Sequence, residues 1–163
     1  MGKIITDRFQ NGIRFLLLSV FIVLAGCGAQ EQTQLEDHQG KALQLSAEDS
    51  SWLVVNYWAT WCDPCREEIP ELNELDHEAG VRVWGVDFDN PASLQELQGK
   101  IEKMDIEFPV VAPSFVPGLG LEMPPVLPAT YIIAPDGTMT KRLIGPQTKD
   151  GLLAEIQTLK TKA

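Results

Sequence analysis

From Val54 to Pro70 the chain reads Val-Val-Asn-Tyr-Trp-Ala-Thr-Trp-Cys-Asp-Pro-Cys-Arg-Glu-Glu-Ile-Pro. An apolar, β-prone run gives way to a short turn, then to two cysteines with two residues between them, then to a helix. That order constrains the fold more than anything else in the chain. It sets a buried strand against a helix and puts Cys62 at the helix start. There its sulfur lies beside unpaired backbone N–H groups and the positive end of the helix dipole. Both favour thiolate, the reactive form of cysteine. Cys65 lies one turn further in, within reach for a disulfide. Pro64 suits the first turn, where its fixed φ fits and its missing N–H costs nothing.

The rest of the chain supplies a single α/β domain around this stretch. Lys41–Ser46 alternates as a short edge strand. Ser51–Trp58 is apolar on both faces, as in a parallel sheet. The cysteine helix is expected to run from Cys62 to about Ala79, with Ile69, Leu72 and Leu75 inward and a kink at Pro70. Val81–Phe88 alternates as a strand. Asn90-Pro91 then opens a helix whose stripe is Leu94, Leu97, Ile101 and Met104. Phe108–Ala112 is a short strand. Pro113–Pro128 is rich in proline and glycine and reads as a surface loop or recognition insert. Ala129–Ala134 and Thr138–Ile144 flank the turn Pro135-Asp136-Gly137 as a hairpin. Thr148–Lys160 is a last helix on Leu152, Leu153, Ile156 and Leu159. Two parallel βα units, a hairpin and a terminal helix predict one sheet with helices on both faces.

The first 26 residues hold Lys3, Arg8 and Arg14 against Asp7, a net of +2; the whole chain stands at −10, so the remainder is at −12. So acidic a body argues against nucleic-acid binding, which needs basic patches. The basic start precedes an apolar run, Phe15–Leu24, too short to span a bilayer as a helix. Small residues follow, which is the pattern of a secretory signal peptide over residues 1–26. Leu24-Ala25-Gly26-Cys27 resembles the bacterial lipobox. That resemblance implies that Cys27 is lipidated and begins the mature chain. An uncleaved anchor or a plain signal peptide are the alternatives. Acyl chains would hold the protein on a membrane surface. Gly28, rather than Asp, follows Cys27 and slightly favours the outer over the inner membrane. Residues 27–40 lack an apolar period and read as a flexible tether, leaving 41–163 as the folded domain.

Trp61-Cys62-Asp63-Pro64-Cys65 after a hydrophobic strand, with Leu127-Pro128-Ala129-Thr130 before the hairpin, resembles the thioredoxin superfamily. Cys65-Arg66-Glu67-Glu68-Ile69-Pro70 resembles the Cys-x-x-Glu-x-Pro extension of its TlpA-like group, which includes the ResA and CcmG/DsbE types. Asn56 stands where thioredoxin carries a buried Asp. The segment around Ala92–Phe108 and the loop after it look like that group's insert, whereas Ser114–Val126 matches no pattern of the group. The implied fold is thioredoxin-like α/β, a central mixed β-sheet flanked by helices with a TlpA-type insert.

The resemblance also implies roles. Cys62 is the nucleophile, with the exposed sulfur, and Cys65 the resolving thiol. Glu68, one turn beyond Cys65, is the acid–base group for Cys65; a solvated charge on an acidic helix is the alternative. Pro128 is a cis-proline facing the disulfide, and the backbone of Leu127 beside it pairs with a substrate strand. Trp61 shapes the substrate surface, while Trp58, Tyr57 and Phe88 read as core. No cofactor or metal is expected. A zinc centre needs two more ligands, and neither His38 nor His77 has ligand spacing. A structural disulfide is the bland reading of the cysteine pair.

Together these features imply an extracytoplasmic thiol–disulfide oxidoreductase on the periplasmic side of a bacterial membrane. It would reduce disulfides of exported proteins, with cytochrome c maturation one candidate role, and draw electrons from a membrane donor of the DsbD/CcdA kind. A disulfide-forming oxidant or isomerase, and a redox-sensing lipoprotein without turnover, are the alternatives.

Overall fold

A computed structural model describes residues 35–43, 50–112 and 119–162. The strands are β1 (Leu35–Glu36), β2 (Ala42–Leu43), β3 (Trp52–Trp58), β4 (Val81–Asp87), β5 (Val110–Val111), β6 (Ala129–Ile133) and β7 (Met139–Ile144). The helices are α1 (Asp63–Asp76), α2 (Leu94–Met104) and α3 (Lys149–Lys160). Because β3 lacks an exposed residue, it takes the centre of a five-stranded sheet of order β5-β4-β3-β6-β7. β4 runs parallel to β3, and β5 to β4, while β6 and β7 are antiparallel, so the sheet is mixed as the sequence predicts.

Side chains alternate across β3 and divide the core in two. Trp52, Val54 and Trp58 face Ile69, Leu72 and Leu75 of α1, Leu97, Ile101 and Met104 of α2, and Leu152 and Ile156 of α3. Leu53, Val55 and Tyr57 face the other way, with Trp84, Val86, Tyr131 and the loop residue Leu121. The expectation of helices on both faces is therefore corrected: all three helices of the described residues pack on one side. The strand order gives the reason. β3, β4 and β5 are laid down in one direction, and right-handed crossovers then put α1 and α2 on the same face.

On the far face, Leu119, Leu121 and Leu127 of the proline-rich segment pack against the core. Leu121 is buried there, and the Tyr131 hydroxyl donates to Glu122 O at 2.8 Å. Burying a leucine of this kind contributes about 2 kcal/mol. Residues 119–128 are thus a lid on the core as well as a surface loop.

Several boundaries move for local reasons. α1 passes unbroken through Pro70 but stops at Asp76, whose Oδ1 accepts from Val83 N at 2.7 Å. α2 begins at Leu94, not at Asn90-Pro91, because Ser93 Oγ accepts from Glu96 N and caps the helix. Leu94, expected in the buried stripe, is 55% exposed in that first turn. The residues expected as the end of a tether belong to the fold. β1 pairs with β2, Asp37 bridges Val111, and His38 N donates to Val110 O at 2.9 Å. This ribbon covers the edge of β5, which would otherwise expose unpaired backbone groups. Residues 1–34, including Cys27 and the signal-like segment, lie outside the described residues.

One glycine is required by packing. A Cβ on Gly85 would sit 2.9 Å from both the Phe108 ring and the Trp58 indole nitrogen.

Candidate active site

β3 delivers the chain to the cysteines. At its end the Trp58 carbonyl accepts from Phe88 N, and Cys62 N donates to Ala59 O at 3.1 Å, closing the turn. The Arg66 guanidinium holds the same turn through Thr60 O and reaches the end of α2 through Lys103 O at 2.9 Å. Cys62 is the N-cap of α1, and its sulfur accepts from Cys65 N at 3.2 Å. The sulfur thus occupies the place that a capping oxygen usually takes. Cys62 and Cys65 are joined in a disulfide. Their sulfurs are less open than expected: Cys62 is 5% exposed and Cys65 not at all. What surface the pair has belongs to Cys62.

Glu68 is no solvated charge. It is 1% exposed, on the sheet-facing side of α1, one turn beyond the equally buried Cys65. The Asn56 amide of β3 donates to Glu68 Oε1 at 2.7 Å, and the backbone N–H of Gln147, just before α3, donates to Oε2 at 2.9 Å. Asn56 also donates to Thr130 Oγ1 of β6 at 3.1 Å, across the strand register that sets the two residues opposite. Burial pushes the Glu68 carboxyl up to about 7, against the opposing pull of the Gln147 and Asn56 hydrogen bonds. A carboxyl poised there can take or give a proton at neutral pH.

The Leu127–Pro128 peptide is cis, as expected. Pro128 is buried, its carbonyl accepting from Gly145 N at 2.9 Å. The next residue, Ala129, is the register partner of Tyr57 near the end of β3. Leu127 is half-buried and packs on the cluster that contains Cys62 and Cys65. Two exposed apolar residues, Met123 and Val126, precede it in the same loop.

Trp61 stands out from the surface, 62% exposed. Its indole N–H is shared between the two Asp89 carboxylate oxygens at 3.0 and 3.1 Å, and its ring meets Phe88 edge-on at 6.3 Å. Phe88 is accordingly half-buried rather than core. Lys100 of α2 ties this corner together, 2.8 Å from the buried Asp87 and 3.7 Å from Asp89. Among the described residues no three His, Cys, Asp or Glu side chains converge as a metal site.

Residues 28–142 match the AhpC/TSA family. The chain belongs to that family. Within it the chain is similar to the thiol–disulfide oxidoreductase ResA of Bacillus cereus, 29% identical over 166 residues that take in 87% of this chain and 95% of the relative. The exposed lipoprotein thioredoxin of Streptococcus pneumoniae is 27% identical with a TM-score of 0.57, over 78% of this chain and 97% of that one. StoA from Bacillus subtilis shares the fold at a TM-score of 0.59 and 20% identity, over 73% and 91% of the two chains. This AhpC/TSA member is a thioredoxin-fold thiol–disulfide oxidoreductase of the ResA type, with its Cys62–Cys65 pair in the disulfide form.

Of the site residues named from the sequence, Cys62, Cys65 and Glu68 lie on the first turns of α1, Leu127 packs on the same cluster, Pro128 leads into β6, and Trp61 is exposed next to Cys62 in sequence. Thr130, Gln147 and Asp89 were missed as site residues. Asn56 was singled out by the resemblance; Thr130 could have been flagged as the polar residue of an otherwise apolar strand. Gln147 acts through its backbone and leaves no trace in the sequence.

Proposed function

We propose that the protein is an extracytoplasmic reductant of disulfides in exported proteins. The observation that carries this is the buried Glu68 carboxyl, poised near neutrality one turn from Cys65. In the dithiol form the Cys62 thiolate attacks one sulfur of a target disulfide. That S–S bond breaks, and the target's other sulfur leaves as a thiolate and takes up a proton. Glu68 removes the proton from Cys65, whose thiolate attacks Cys62. The Cys62–Cys65 disulfide forms, the second target sulfur leaves, and two electrons have passed to the target. A membrane dithiol donor of the DsbD/CcdA kind restores the pair.

With Pro128 cis, the backbone N–H and C=O of Leu127 are offered to an extended target segment beside Cys62, and Trp61, Met123 and Val126 give that segment an apolar bed. Cytochrome c precursors, with paired cysteines, are one fitting target class. Lipidation of Cys27 would anchor the protein at the periplasmic side of the membrane, the outer membrane slightly favoured. The anchor is supported by the lipobox resemblance and by a structural relative named as a lipoprotein.

The test is trapping. Cys65→Ser in cells is expected to accumulate proteins joined covalently to Cys62, released by reductant and lost in the Cys62→Ser, Cys65→Ser double variant. A redox sensor without turnover would trap none, and that result would overturn the proposal.

A further inference from the structure

The two oxygens of Glu68 have different partners. Oε2 takes the backbone N–H of Gln147, which cannot turn away. Oε1 takes Asn56 Nδ2, which also reaches Thr130 Oγ1. The other end of the Asn56 amide, Oδ1, is fully buried and has no protein partner among the described residues. A buried acceptor left unpaired is costly, and native structures seldom keep one without a use. Asn56 stands in a strand that is otherwise apolar, so leucine or valine would have removed the cost.

An amide has a donor end and an acceptor end of nearly the same shape, so a half turn exchanges them in place. Ionised Glu68 only accepts, and Nδ2 suits it. Protonated Glu68 must donate. With Oε2 held by the Gln147 N–H, the proton goes to Oε1, where it would meet Nδ2–H, donor against donor. A half turn puts Oδ1 there instead. Oδ1 then accepts from Oε1–H and from the Thr130 hydroxyl, which rotates from acceptor to donor.

We propose that Asn56 and Thr130 form a two-position element that follows the proton on Glu68, donating to its carboxylate and accepting from its carboxylic acid. The role is one of positioning, and it rests on the reading of Glu68 as the group that takes the Cys65 proton. In that step the Cys65 S–H bond breaks, the electron pair stays on sulfur and the proton bonds to Oε1. A fixed amide would set donor against donor; an amide that turns presents the right end to each form of Glu68, and in the turned position Nδ2 takes the unpartnered place of Oδ1.

Of the charged groups on the packed elements, Arg142 of β7 and Asp150 and Lys160 of α3 are exposed, and the others are paired away from Glu68. Lys149 of α3 donates its backbone N–H to Glu71 and its ammonium sits by Glu74 and Glu78, and Lys141 of β7 pairs with Glu155. β3 and β6 carry no charge. The neutral groups Asn56, Thr130 and Gln147 N–H therefore face Glu68.

The experiment is a titration from pH 5 to 9 of the full chain in detergent, with the Asn side-chain amides and Glu carboxyls isotope-labelled for NMR. The Asn56 amide protons are expected to shift with the same midpoint as the Glu68 carboxyl, and to lose their proximity to Thr130 below it. In Asn56→Leu both forms of Glu68 lose the amide, and the ionised form loses the stronger, charge-assisted bond, so the Glu68 midpoint rises by less than about one pH unit; Thr130→Ser keeps the wild-type midpoint. Amide protons that stay beside Thr130 at both extremes overturn the proposal. Insulin reduction by the same samples, with dithiothreitol as electron source, tests the proposed reductase separately. Turnover with a fixed amide leaves the reductase standing and removes the element. A turning amide without turnover keeps the element and removes the reductase.

Discussion

Two carboxylates lie buried on the helix-covered side of the sheet, each 1% exposed, and they are kept there by opposite means. Asp87, at the end of β4, has the Lys100 ammonium at 2.8 Å and a backbone donor from Asp89. Glu68, on α1, has only neutral donors, and burial lifts it to about 7. A buried charge must be paired or neutralised. Asp87 is paired, which serves architecture: it fastens α2 to β4 behind Trp61. Glu68 is left to change its protonation, which serves chemistry. The same residue class at the same depth therefore does different work according to whether a cation accompanies it.

The comparison can be broken most strongly at Lys100. Lys100→Met leaves Asp87 buried beside no cation, and a loss of about 3 kcal/mol or more in folding stability is expected from urea denaturation. The matching change beside Glu68, Asn56→Leu, should cost less, because it removes a neutral donor rather than the cation of a buried pair.

Stability against pH separates the two next. The Glu68 carboxyl is raised in the folded state from 4.5 to about 7. Its contribution is then fully present below about pH 4.5 and is lost as pH rises through 7, a change on the order of 3 kcal/mol. Glu68→Gln should remove that slope, leaving a variant more stable than the parent at pH 8 when both are unfolded as disulfides. An unchanged slope would mean Glu68 is not the titrating group.

A similar free energy appears in rate. Glu68→Gln is expected to slow release of a mixed disulfide from Cys62 at pH 7 by about 100-fold, the scale of general base catalysis. Single-turnover kinetics with a peptide disulfide reads this, and the first attack by Cys62 should be nearly unaffected. The smallest effect lies at the rim. Trp61→Phe keeps the ring against Phe88 but loses the bond to Asp89, and a stability loss of about 1 kcal/mol or less is expected by denaturation.

The residues that carry local chemistry were legible in the sequence. A Cys-x-x-Cys after an apolar strand states its own geometry, and Pro128 could be singled out because a strand starts right after it. What depended on three-dimensional order was not legible. The described helices α1 and α2 share one face because β3, β4 and β5 follow one another in space, and no periodicity reveals that order. Leu94 fits the apolar stripe of α2, yet Ser93 caps the helix one residue earlier and turns Leu94 outward. Leu35–Gly40 looked like tether because a two-residue strand has no period to detect. Glu68 sits among Glu67, Glu71 and Glu74, and its helix face alone could not tell it from a solvated charge. Its burial is decided by Asn56 and Thr130, which the sheet register brings opposite each other from 74 residues apart.

The measurement that bears most directly on the proposed reductase is the reduction potential of the Cys62–Cys65 pair in the full chain, equilibrated against defined thiol buffers. The account predicts a value near or below about −250 mV, toward the thioredoxin end of the scale, where the dithiol gives electrons to target disulfides. A value near about −120 mV would contradict it and make the protein a donor of disulfides.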